Sequence, residues 1–184
     1  MTDRRTVLSM VASFTIFLLQ GCLDTLPDNS DSVGDGNVEN QGSGQRREVV
    51  TTYDEALIAR NDATTARDEG ITAFNERNYA DAIEPLETAL TGYEDAEDGF
   101  ADAASLAAEI DEEPAADICE TALDETALQR DATDAALSAA RAAQEGADAE
   151  KVNGHIEQFR SLREDAEAIT VADADAVASA LGVD

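Results

Sequence analysis

Between Asn78 and Gln129 the chain carries no basic residue, yet apolar side chains recur at helical spacing through the first part of that stretch. Tyr79, Ala82, Ile83, Leu86, Ala89, Leu90, Tyr93, Phe100, Ala107 and Ile110 follow a period of about 3.6 residues, which places them on one side of an α-helix. Strands need alternation, and there is none here. Beyond Glu48 the same character persists: Ala, Glu, Leu, Arg and Gln dominate, and β-branched residues never form a strand-like run. The expected fold is therefore all-α, an antiparallel helical bundle of about five helices over residues 48–184.

Punctuation residues divide this region. A first helix is expected from about Val49 to Glu76, presenting Tyr53, Leu57, Thr64, Ile71 and Phe74 on an imperfect face. Asn78, with Asp81 three residues on, is the expected N-cap of the second. Pro85 is expected to kink that helix, and Gly92 and Gly99 to divide it. Pro114 suits a first helical position, so a third, alanine-rich helix follows from Ala115 to about Glu145 and stops at Gly146. Its apolar face is small: Ile118, Cys119, Ala122, Thr126 and Ala136. A fourth carries Val152, Ile156, Phe159, Leu162, Ala166 and Ile169. The last is expected to start at Thr170, whose "TVAD" has the form of a capping box, and to end at Gly182.

Charge balance restricts partners. The chain has 12 Lys plus Arg against 41 Asp plus Glu, a formal net charge of -29, and Lys151 is its only lysine. Such an excess suits either a disordered chain or a protein of concentrated salt. At 1 M salt the Debye length is about 3 Å, so neighbouring carboxylates barely repel one another. The acids interleave with helix-periodic apolar residues instead of forming blocks, which favours the halophilic reading. A phosphate backbone would find no basic patch to bind, so nucleic acid is excluded as a partner.

Residues 1–22 have a different design. Arg4 and Arg5 precede an apolar core, Val7 to Leu19, and small residues lead to Cys22. That core is 13 residues long, short of the roughly 20 needed to span a bilayer. "DRRTVLSM" resembles a twin-arginine (Tat) export signal, and "LQGC" resembles the lipobox of lipoproteins. These resemblances imply a signal peptide over 1–21, cleavage between Gly21 and Cys22, and a lipid on the Cys22 sulfur. With the acidic composition, the chain looks like an exported haloarchaeal lipoprotein. The segment that follows, "LDTLPDNSDSVGDGNVENQGSGQRR", is rich in Asp, Asn, Ser and Gly and keeps no apolar period. Residues 22–47 are accordingly expected to be the lipidated cysteine and a flexible, disordered acidic tether.

A second resemblance lies in the helical region. "GITAFNERNYADAIEPLETALTGY" is similar to the core of a tetratricopeptide (TPR) repeat, through Gly70, Phe74, Tyr79, Ala82, Leu86 and Ala89. It implies a helical hairpin over about 51–93, with Gly70 and Ala82 allowing close approach and a groove lined by the first helix. No second copy recurs at a period of about 34, so a single TPR-like hairpin inside a bundle is expected.

Catalytic chemistry finds little to use. His155 is the only histidine, and Cys119 is the one thiol besides Cys22, expected to be a buried packing group. There is no phosphate loop, nucleophile elbow or HExxH pair. The expectation is a non-enzymatic, lipid-anchored protein on the extracytoplasmic face of the cell membrane, with no catalytic residue, cofactor or metal. Its expected partners are the membrane, through Cys22, and another envelope protein or a peptide. The alternatives are a structural spacer without a dedicated groove, or a solute-binding domain.

Overall fold

A computed structural model describes residues 36–183, with side chains from Gly42 onward. Five helices account for most of them: α1 (Gly36–Asn75), α2 (Tyr79–Glu109), α3 (Glu113–Gln144), α4 (Ala149–Glu167) and α5 (Ala174–Ala180). The fold is all-α, with no strand among the described residues.

Tight turns make α1 to α4 antiparallel sequence neighbours, each packed on the one before it, while α5 lies against α1 and α3. Buried positions explain the packing. On α2 they are Ala82, Leu86, Ala89, Tyr93, Ala96, Phe100, Ala103 and Ala107. These alternate steps of four and three residues, the seven-residue repeat that winds packed helices into left-handed pairs. On α1 the same repeat runs Val49, Tyr53, Ala56, Ala63 and, at two further steps, Arg67 and Gly70. Of the expected α1 face, Tyr53 lies on this stripe, whereas Leu57, Thr64, Ile71 and Phe74 are only partly buried and lie off it. The true stripe was hidden because it carries alanine, glycine and arginine, which look like surface.

The α1–α2 seam is close. A Cβ added to Gly99 would stand 2.9 Å from the Ala56 Cβ, and one added to Gly92 would stand 3.0 Å from that of Ala63. Seven residues further along α1, a Cβ on Gly70 would meet Leu86 at 2.6 Å and the Ala82 carbonyl at 3.1 Å. Gly92 and Gly99 therefore do not divide α2, as the sequence suggested; they admit the neighbouring helix. Pro85 does not end α2 either. The carbonyl it leaves without a donor is that of Asp81, an exposed residue that water can reach.

Apolar side chains gather at the two ends of the molecule. One cluster contains Val49, Tyr53, Phe100, Cys119, Val177 and Leu181. Tyr53 and Phe100 have ring centroids 5.1 Å apart, and the Tyr53 hydroxyl donates to the Ala172 carbonyl at 2.8 Å, fastening the approach to α5 onto α1. The other cluster contains Leu86, Ala132, Ala136, Leu137 and Phe159. Between them lies a small group of Ala63, Ala89 and Tyr93.

Four end details differ from expectation. Helix α1 starts at Gly36, so residues 36–47 of the expected tether are helical; no proline interrupts them, and a helix held by its packed part extends at one hydrogen bond per added residue. Asn78 precedes α2 but makes no cap bond, because its side-chain amide turns back to Glu76 at 3.4 Å. Thr170 does not open α5: Asp173 does, its carboxylate accepting from the Ala176 N–H at 2.9 Å. Helix α3 starts at Glu113, two residues before the expected Ala115.

Four helices close with the same pair of backbone bonds, for instance Asn78 N–H to Ala73 O and Arg77 N–H to Phe74 O. That closure needs a left-handed residue. Gly146 (φ 75°) and Gly182 (φ 64°) supply it without strain, whereas Arg77 (φ 67°) and Asp111 (φ 59°) pay a steric penalty. Arg77→Gly and Asp111→Gly are each expected to stabilise the domain by about 0.5–1 kcal/mol, raising the melting midpoint by about 2 °C. A lowered midpoint for both would show that these side chains carry compensating contacts.

Candidate functional site

The space between α1 and α3 is the part of the molecule where side chains other than packing groups converge. These helices approach chiefly through long side chains, and each half of the space holds different chemistry.

In the middle is a buried polar layer. Arg60 of α1 donates from Nε and Nη2 to the two carboxylate oxygens of Glu125 on α3, both at 2.6 Å. Glu125 is 2% exposed, and it also accepts from the Gln129 amide at 2.8 Å. Gln129 in turn accepts from Nη1 of Arg67, whose other nitrogens reach Asp68. From α2, the Tyr93 hydroxyl meets Thr64 at 3.0 Å. Its pKa is raised, first by burial, and the nearby Arg67 and Arg60 charges act against that rise. The Arg60 pKa is also raised, mainly by its hydrogen bond to Glu125. Charges so closed upon one another have no free valence for a substrate; their effect is on which helices pair and in what register.

Past this layer, toward the α1–α2 turn, the same face opens into a cleft of about 220 Å³. Ile71, Phe74 and Asn75 form its α1 wall, Ala136 and Ala139 its floor on α3, and Ile156, Phe159, Arg160 and Arg163 its α4 wall. Helices α1 and α4 do not pack on each other among the described residues. The alanines of α3 leave the gap between them, and Phe74 and Ile156 stay partly exposed as a result. On α4 the wall residues fall at steps of three and four, so one helix face offers two apolar groups and then two guanidiniums.

The residues of the TPR-like motif lie next to this cleft. Ala82, Leu86 and Ala89 are fully buried on α2, Gly70 faces Leu86, and the Phe74 and Tyr79 rings pack at 5.3 Å across the turn. Arg4, Arg5, Gly21 and Cys22 lie outside the described residues. Cys119 is fully buried, and burial pushes its thiol up to about 11; this far from the cleft, it packs against the Val49–Phe100 cluster. His155 is partly buried on α4. Among the described residues no group of three His, Cys, Asp or Glu is arranged to hold a metal ion, and no helix is long and apolar enough to cross a membrane.

Sequence reasoning missed Arg60, Arg67, Glu125 and Gln129. One signal was present: Arg60 and Arg67 are seven residues apart, as are Ala122 and Gln129 on the alanine face of α3. It also passed over Arg160 and Arg163, which carry no apolar period.

Comparison of the chain with protein-family models, with curated proteins and with solved structures finds no match.

Proposed function

We propose that this chain is a lipid-anchored, extracytoplasmic, non-enzymatic interaction module of the cell envelope in a halophile, and that it engages another protein through the cleft between α1, α3 and α4. The observation that carries the interaction reading is the cleft itself. It leaves Phe74 and Ile156 partly exposed in a chain with aromatics at only 4% of its residues. A chain so poor in large apolar groups would gain about 1.5–3 kcal/mol from fully burying each of them, so leaving a cleft between them favours a use for it. The lipid anchor rests on the sequence around Cys22, and export on Arg4 and Arg5.

A spacer role has its own support. Helix α1 is 40 residues long, about 60 Å at helical rise, and Ile71 lies about 52 Å along it from Gly36. A spacer and an interaction module differ in what the cleft touches. A photo-crosslinking residue at the exposed position Asn75, in the full chain expressed in its own envelope, is expected to capture a discrete partner; capture of lipid alone or nothing would favour the spacer. In the same strain, Cys22→Ser is expected to release the protein from membranes or leave an uncleaved precursor. Unchanged mass and membrane retention would sink the anchor.

A further inference from the structure

Resting on the interaction reading above, we infer that the α1–α3–α4 cleft is built for an acidic amphipathic segment, one that places a single large apolar side chain between Phe74 and Phe159 and carboxylates on Arg160 and Arg163. Charge is the first reason. In a chain of net charge -29, most of the described arginines reach internal acceptors, and Arg47, Arg77 and Arg160 do not. Arg46 reaches Glu112, Arg60 reaches Glu125, Arg67 reaches Gln129, Arg130 reaches Glu97, and Arg141 reaches Glu87.

Arg160 is the exception at the cleft: exposed on its rim, it has no hydrogen-bond or ion-pair partner among the described residues. Arg163 gives only its Nε, to Glu167 at 2.7 Å, and both of those side chains are about half exposed. Its terminal nitrogens stay available for a planar, two-point grip on a carboxylate.

Size is the second reason. At about 220 Å³ the cleft falls below the roughly 300–1,000 Å³ of small-molecule pockets. It suits one anchoring side chain of a larger partner, the usual core of an interface. Spacing is the third. Phe159 and Arg163 are one helical turn apart on α4, so a bound helix with Leu or Phe one turn from Glu matches apolar to apolar and charge to charge. In concentrated salt the distant acidic surface is screened beyond about 3 Å, leaving these direct contacts to choose the partner.

The test uses the intact domain on its full chain, in 2 M KCl, with methyl resonances of Ile71 and Ile156 as the readout. Three blocked helical peptides are titrated: Ac-EELLAEFLEELA-NH2, its lysine counterpart Ac-KKLLAKFLKKLA-NH2, and the anchor-free Ac-EEAAAEAAEEAA-NH2; sodium decanoate is a fourth ligand. The expected result is a saturable shift with the first peptide alone. Arg160→Gln with Arg163→Gln should weaken it about fivefold or more, and the paired lysine variants should recover part of the loss. Both changes lie on exposed side chains and leave the fold intact.

Equal binding of the lysine peptide, a response to decanoate only, or shifts that track protein concentration (a second copy as occupant) would each overturn the inference. A partner captured at position 75 with no response to the acidic peptide overturns the acidic chemistry alone; the absence of any captured partner overturns the interaction reading beneath it.

Discussion

Replacing Arg60 with methionine is expected to lower the stability of the helical domain by about 3–5 kcal/mol, a large share of the total for a single domain. The cause is what remains. Glu125 is 2% exposed and would keep only the Gln129 amide at 2.8 Å, losing both guanidinium bonds at 2.6 Å. A buried carboxylate without its counter-charge must either stay ionised at high cost or take up a proton. Adding Glu125→Met to Arg60→Met should restore most of the loss, since an apolar pair of similar size often replaces a buried ion pair at little cost. Denaturant unfolding of the two singles and the double in 2 M KCl gives the coupling directly. A loss under about 1 kcal/mol for Arg60→Met would place the pair with ordinary surface bridges and remove the argument that it sets how α1 meets α3.

The second large effect belongs to the α1–α2 seam. Gly99→Leu is expected to destabilise by about 3 kcal/mol, the upper part of the range for overpacking. It does so although leucine favours helix over glycine by nearly 1 kcal/mol. A Cβ at Gly99 would already lie 2.9 Å from the Cβ of Ala56; that atom is fixed to its backbone, so the helices must part along their length. Gly70 is no freer, because a Cβ there would meet Cγ of the fully buried Leu86 at 2.6 Å and the backbone carbonyl of Ala82 at 3.1 Å. The control is a size exchange: Ala56→Gly with Gly99→Ala moves one methyl to the opposite helix and should keep most of the stability. If Gly99→Leu unfolds at the same denaturant concentration as the parent chain, the seam is not close-packed.

Together these variants separate two kinds of interior. The seam is held by the closeness of small groups, each with little area to bury, so many weak contacts act together. The polar layer contributes little net energy while intact and a great deal of penalty when broken. Such a layer penalises a slipped register, in which Arg60 and Arg67 would face alanines.

How much of this was legible in the chain varies by helix. On helix α2, Leu86, Tyr93 and Phe100 are large enough to mark the buried repeat, but the small Ala96 and Ala103 were passed over and Gly92 and Gly99 looked like breaks. The starts and stops of α3 were readable from Pro114 and Gly146 to within about two residues. The face of helix α1 was misread beyond Tyr53: from Ala56 to Gly70 its buried stripe carries only alanine, arginine and glycine, so hydrophobicity pointed to Leu57 and Ile71 instead. The start of α1 at Gly36 was hidden by a glycine- and asparagine-rich stretch of low helix preference. Of the candidate cleft, Phe74, Ile156 and Phe159 were visible as apolar positions, but nothing in one helix says that its neighbour will leave a gap.

The sequence by itself determined the all-α class, the helix-to-helix turns and the punctuation that makes them, since periodicity, proline and glycine act over a few residues. Tertiary structure decided which faces are inside, how near two helices come, and which arginines remain free. The partly buried Arg60 is placed by the pair it makes with Glu125, 65 residues away, whereas the exposed Arg160 makes no such pair among the described residues. Charge pairing and close packing are relations between distant residues, so they are set only when the helices meet.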